Sequence, residues 1–374
     1  MPLAASRPID QIDQIIHSLC RIAPSLQEKR ILAGFDGFID TIAKPVRAFG
    51  VNGECGHFAT IAEFGAFIEG HSHKSTSIQY EVQERKPGGN MPNFVAALDA
   101  LSLKPTAVGM LSTETGGIDP LFQGLGKLRY SYFAAGPATA FEFTDGKIFF
   151  SPANVFGAAH NEKMFPRIKN VFPQFPEAVA ASDLTAFLNW SELPFAQDLW
   201  DDIYIHALNH AEADKTRYAF FDPCDTSAKS PFEIEALFDL IGKISGQRGT
   251  ILSVNKNEAL DLCGKITGKA RSVFASSIEE AAELLFRRLS IDELVVHQHT
   301  ESMALCAQGM ATEQCVLNKN PKISTGAGDH FNAAYCYASL AGLPVAEKLR
   351  FATSYSGAYI AKGSSPSLQD IGNL

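Results

Sequence analysis

Four short segments of this 374-residue chain combine residue types that could do chemistry. The sharpest is Ser-Thr-Gly-Ala-Gly-Asp, from Ser324 to Asp329, followed by the apolar helical pattern HFNAAYCYASLAG. Gly326 and Gly328 lack Cβ atoms, so backbone N–H groups around Ala327 can close on an anion. A helix opening there would add the positive end of its dipole. Such a turn suits the charge on a phosphoryl group in flight, and Asp329 beside it could take the proton of an attacking hydroxyl. A tight strand-to-helix turn with Asp329 as an ordinary first-turn acid fits the same letters.

The other three segments are each open to two readings. In PGGNMPNFVAAL, Gly88 and Gly89 would let backbone approach a ligand, and Asn93 offers donor and acceptor to a polyhydroxylated molecule. The same residues also suit a plain helix start. Asn255 to Glu258 follow the strand-like TILSV, and loops after parallel strands lie where ligands bind. Glu258 could organise Mg²⁺ there through water, or Asn255 and Glu258 could form a capping box. In GFDGFID, Asp36 or Asp40 could accept hydrogen bonds from sugar hydroxyls, although Asp-Gly also favours turns.

These segments need elements to hold them. RILAGF, TAVGML, LTAFLN, YAFFD, TILSV and ELVVH read as short buried strands, separated by helical patterns such as IEEAAELLFRRL. That alternation implies an α/β fold, a parallel sheet with helices on both faces. Residues 39–86, ending in the alternating SIQYEVQERK, and residues 129–152, with a hairpin turn at Asp145-Gly146, break the rhythm and read as a small β lid. Ile9 to Leu26 recur at helical spacing, so residues 1–29 are expected to form an N-terminal helical extension on a single domain of residues 1–374.

Bulk properties narrow the class. At 46% apolar residues and a net charge of −9, the chain reads as globular and unsuited to nucleic acid or anionic membrane. Seven scattered cysteines without a CxxC pair fit a reducing compartment, and the opening MPLAASRPID does not read as a signal peptide. A cytoplasmic protein is expected. Gly264 to Lys269 falls one residue short of a P-loop, and His206 with His210 lacks a third metal ligand.

In this order the four segments resemble the ribokinase, or PfkB, carbohydrate kinase family, over roughly residues 31–367. FFDPCD around Asp222 and FATSYSGAYIAKG near the C-terminus also look similar to family segments. The resemblance implies a Rossmann-like domain with a β lid, and Mg²⁺-assisted transfer of a phosphoryl group from ATP to a hydroxymethyl group of a sugar. It implies Asp329 as base and the Gly326, Ala327 and Gly328 backbone as anion hole. Asn255, Glu258 and Thr325 would serve nucleotide and metal, with Glu258 nearest the metal. Asp36 or Asp40, Gly88, Gly89 and Asn93 would hold the acceptor, with Glu142 on the lid. A homodimer through the lid is a further implication. The chain departs from the family pattern where Ile323-Ser324-Thr325 replaces Asp-Thr-Thr, and where His297-Gln298-His299 and Ser302 replace a glycine-bearing nucleotide loop. Those departures leave an ADP donor, a nucleoside acceptor and a non-catalytic binding protein as alternatives.

Overall fold

The structure is a computed structural model describing residues 8–152, 162–274, 277–315, 318 and 321–371. Its strands are β1 (Ile31–Gly34), β2 (Phe38–Phe49), β3 (Cys55–His57), β4 (Tyr80–Gly88), β5 (Thr106–Ser112), β6 (Leu128–Ala134), β7 (Gly136–Phe143), β8 (Gly146–Phe150), β9 (Leu184–Leu188), β10 (Asp214–Asp222), β11 (Arg248–Asn255), β12 (Glu293–His297), β13 (Glu301–Cys306) and β14 (Gly309–Gln314).

Nine strands form one sheet in the order β14-β13-β12-β11-β10-β9-β1-β5-β6. From β12 to β6 all neighbours are parallel, whereas β13 and β14 extend the edge antiparallel. β1 and β9 are buried along their whole length, which explains their unbroken apolar sequences. One face packs Phe35, Phe187, Trp200, Phe221 and Leu252 against helices such as Pro231–Ser245. The other packs Met91, Phe94, Phe331, Tyr335 and Phe351 from helices Asn90–Ala100, Ala327–Leu340 and Val345–Lys362. Helix Pro8–Leu26 joins this second core through Ile15, Ile16, Leu19 and Leu26, so it is an integral part of the packing.

A smaller sheet runs β3-β2-β7-β8, with β4 also paired to β2. Helix Ile61–Gly70, capped by Thr60, covers one of its faces by setting Phe64 against Ala43, Phe58 and Phe141. The opposite face carries Asp40 and Lys44, four residues apart on β2, and Glu142, next to Phe141 on β7. The hairpin at Asp145-Gly146 joins β7 to β8.

One boundary differs from the sequence reading. Residues 129–134 were expected in the lid but form β6, the outermost parallel strand of the large sheet. The Tyr132 hydroxyl is buried and donates to the Phe35 carbonyl at 2.7 Å, which anchors that strand in the main core. The chain passes to the smaller sheet only at β7.

Candidate active site

Asp36, Asp222 and Glu258 converge with Asp329 at the carboxyl ends of β1, β10 and β11. Asp36 follows β1 and is wholly buried. Its carboxylate accepts the N–H groups of Asn90 at 2.7 Å and Met91 at 2.8 Å, and Asn189 Nδ2 at 2.8 Å. It therefore caps helix Asn90–Ala100, whose Gly89 start has no side-chain cap of its own. Gly89 sits at φ +95°, and a Cβ there would lie 2.5 Å from Asp36 Oδ2. Gly88 is equally constrained, because a Cβ would land inside the carboxylate of Asp40. Asp40 differs from Asp36 in being turned toward the crevice-facing side of β2, where Lys86 and Lys147 partly offset the upward push of burial on its pKa.

Helix Ala327–Leu340 begins at Gly326, held at φ +85°. The turn is fixed from below. His330 Nδ1 hydrogen-bonds the Gly326 carbonyl at 2.7 Å, Ser356 Oγ donates to the Ala327 carbonyl at 2.9 Å, and Tyr359 donates to the Thr325 carbonyl at 2.8 Å. His330 also stacks on Tyr359, with ring centroids 3.5 Å apart. Burial lowers both His330 and His297 to about 4, so both rings are neutral at physiological pH. His297 ends β12, and its imidazole occupies the side of Gly328 where a Cβ would point, 3.2 Å away. No side chain caps this helix start, and within the turn the Ala327 N–H donates to the Ser324 carbonyl at 3.2 Å.

Asp329 lies in the first turn, accepting Asn93 Nδ2 at 3.0 Å. This bond joins the two glycine motifs, although they are 236 residues apart. Asp329 retains some accessible surface at the bottom of its crevice. Burial pushes its carboxyl well above the usual range, and the charges of Asp222, Asp36 and Glu258 push the same way.

Asn255 and Glu258 form the capping box. Asn255 N–H donates to Glu258 Oε2 at 2.7 Å and Glu258 N–H donates to Asn255 Oδ1 at 3.0 Å. Glu258 is nonetheless raised to about 8, mainly by burial and next by Asp222. Glu142 stands apart from this cluster. It pairs with Lys147 at 2.6 Å and lines a cavity of about 590 Å³ between the small sheet and Ser324, with Lys44, His57 and Lys322. Sequence reasoning did not single out Asn90, Asn189 and Asn332 for this network. Asn189 could have been suspected as a residue directly after a parallel strand; nothing local marks Asn332, which lies one turn into a helix.

The acid cluster has a consequence for stability. A carboxyl that binds its proton more tightly when folded favours the fold at low pH, and that contribution is lost as pH rises through the folded pKa. Asp36 is raised to about 6 and Glu258 to about 8. The neutral His297 and His330 act oppositely, but only below their unfolded pKa near 6.5. Ligand-free protein should therefore lose on the order of 5 °C in Tm between about pH 6.5 and 8.5. Glu258→Gln should flatten that slope; a Tm that climbs over this window in differential scanning calorimetry would refute the charge assignment.

Comparison with known proteins shows the family and the fold. The family model described as prokaryotic ketohexokinase matches residues 10–374. A ketohexokinase of Haloferax volcanii is 22% identical over 353 residues, spanning 91% of this chain and 89% of that protein. Among solved structures, ribokinase from Thermotoga maritima superposes with a TM-score of 0.60 at 16% identity, covering 92% of this chain and 98% of that one. Arabidopsis thaliana ribokinase complexed with ribose and ATP gives 0.61 at 16% identity, covering 92% and 97%. A family model matched over residues 10–374, on a ribokinase fold that covers 92% of the chain, makes this chain a carbohydrate kinase belonging to the prokaryotic ketohexokinase family.

Proposed function

We propose that the chain transfers the terminal phosphoryl group of ATP to a primary hydroxyl of a neutral ketose, with Asp329 as general base. The observation that carries this reading is the Asn93–Asp329 hydrogen bond, which brings the base to the acceptor-side helix. The hydroxyl oxygen attacks phosphorus, its proton passes to an Asp329 oxygen, and the nucleotide diphosphate leaves. Backbone N–H groups of Gly326, Ala327 and Gly328 meet the charge on the transferring oxygens. The raised proton affinity of Asp329 suits a base that must work near neutral pH.

The acceptor is held by Asp40, Asn93 and the Gly88-Gly89 backbone. Asp36 is the support behind them, because its oxygens already serve helix N–H groups. Glu142 is linked to this subsite through its partner Lys147, whose charge acts on Asp40. Asp40→Asn should raise the acceptor KM about 10- to 100-fold, the worth of one charge-assisted hydrogen bond, with a smaller change in kcat. Equal acceptor KM values in both proteins, measured at saturating nucleotide, would exclude Asp40 from the subsite.

The donor set also suits Mg²⁺. Among the described residues no group of three His, Cys, Asp or Glu side chains is arranged to hold a metal by itself. That fits an ion kept mainly by phosphates and water, with Glu258 and Asn255 as outer contacts. When bound, Mg²⁺ would neutralise charge on the transferring phosphoryl group. Thr325 stands at the edge of the same turn. We place a homodimer contact on the small sheet, where Tyr80, Val82, Phe149 and Phe150 remain about half exposed. No helix among the described residues is long and apolar enough to cross a membrane.

A coupled assay for diphosphate release should find ketohexoses turned over with ATP and Mg²⁺ ahead of aldoses and nucleosides. Preference for a nucleoside acceptor, or activity with ADP in place of ATP, would overturn the acceptor or donor half of the reading respectively.

A further inference from the structure

One buried carboxylate takes no direct part in the phosphoryl transfer. Asp222 ends β10 and is 8% exposed. Its Oδ2 accepts Asn90 Nδ2 at 3.2 Å and Asn332 Nδ2 at 2.9 Å, while Oδ1 accepts the Cys224 N–H at 3.0 Å. Asn90 opens helix Asn90–Ala100. Asn332 stands three residues beyond Asp329 in helix Ala327–Leu340, on the same face. One carboxylate thus ties together the first turns of the acceptor-side helix and the base-bearing helix. Asn332 is fixed from its other end, where Oδ1 accepts Ser253 Oγ of β11 at 2.6 Å.

The charge environment makes this tie unusual. Every hydrogen bond to the Asp222 carboxylate comes from a neutral amide or backbone N–H. Its charge pushes up the carboxyls of Asp36 after β1, Glu258 on helix Lys256–Thr267 and Asp329, and the neighbouring Cys224 thiol, while burial raises the Asp222 carboxyl itself. Burying an anion among neutral donors and other acids costs stability, and an uncharged residue would tie two asparagines more cheaply. After burial, the Asp222 charge is the largest cause raising the Asp329 carboxyl.

We propose that Asp222 is the positioning residue for Asp329: it staples the two helix starts so that Asn93 and Asp329 meet, and it sets a second carboxylate beside the base. The proposal rests on Asp329 being the base. Its two parts separate by mutation. Asp222→Asn removes the charge, and Asn332→Ala cuts the staple while the charge stays.

The measurement is the pH profile of kcat/KM for Asp222→Asn, Asn332→Ala and Asp329→Asn, beside wild type. In Asp222→Asn the acid limb should move down by about one pH unit, because loss of a nearby negative charge lets Asp329 ionise more easily. Its kcat should fall roughly 10- to 100-fold. Asn332→Ala should lose kcat with its acid limb unmoved. An acid limb unchanged in Asp222→Asn would overturn the charge role, and an unchanged kcat in Asn332→Ala would overturn the staple. Should Asp222→Asn fail to fold by circular dichroism, Asn332→Ala alone decides the staple, and Asp222→Glu, which keeps the charge, should retain the wild-type limb. Retained turnover in Asp329→Asn would instead sink the base assignment, a distinct result from either of these.

Discussion

Asp329→Asn is expected to lower kcat by about 10²- to 10⁴-fold, the range that general-base catalysis contributes. The variant should fold and bind acceptor, since Asn is isosteric and can still accept Asn93 Nδ2 through its own oxygen. Its Tm at pH 8 should equal or exceed that of wild type. The site already holds Asp36, Asp222 and Glu258, and removing one more buried charge relieves repulsion. Lower activity with unaltered or improved stability identifies a group retained for chemistry. Loss of both would mark Asp329 as structural.

Gly89→Ala should be strongly destabilising and should damage the site as well. Gly89 sits at φ +95°, where an L side chain is strained, and its Cβ would meet Asp36 Oδ2 at 2.5 Å and Phe38 Cδ2 at 2.9 Å. Asp36 cannot give way, because two backbone N–H groups and Asn189 hold it. Strain and overpacking together should cost about 3 kcal/mol, a Tm drop of roughly 4 °C. The helix start carrying Asn90 and Asn93 would shift, and a displacement near 1 Å should lower kcat/KM about 100-fold. Gly357→Ala is the control: it lies within a helix with nothing within 4 Å of its added Cβ, and should be neutral or stabilising. Equal behaviour of the two variants in thermal melts and kinetics would mean that Gly89 has no special task.

Much of this was legible in the sequence because it depends on local rules. The unbroken apolar runs of β1, β9 and β11 are what a strand covered on both faces requires. The glycine turns were legible because only glycine permits their backbone or the close approach of Asp36 and Asp40. Long-range facts were not. Whether Leu128–Ala134 belongs to the lid or the main sheet depends on a partner strand and on Tyr132 reaching Phe35. The antiparallel β13–β14 edge gave no warning, since ESMALC and GMATEQ also fit an irregular loop. The different environments of Asp36 and Asp40 emerge only when helix Asn90–Ala100 sets its N–H groups against one of them. Asp222 was visible only as part of FFDPCD, and its ties to Asn90 and Asn332 span 132 and 110 residues.

The most direct test follows the phosphoryl group itself. Wild type and Asp329→Asn would be incubated with γ-labelled ATP, Mg²⁺ and a ketohexose, and the label on the sugar counted after a single turnover. The expected result is stoichiometric transfer by wild type and at least a 100-fold slower transfer by the variant. Label appearing on the sugar at the same rate in both proteins, or on inorganic phosphate alone in wild type, would contradict a phosphotransferase acting through Asp329.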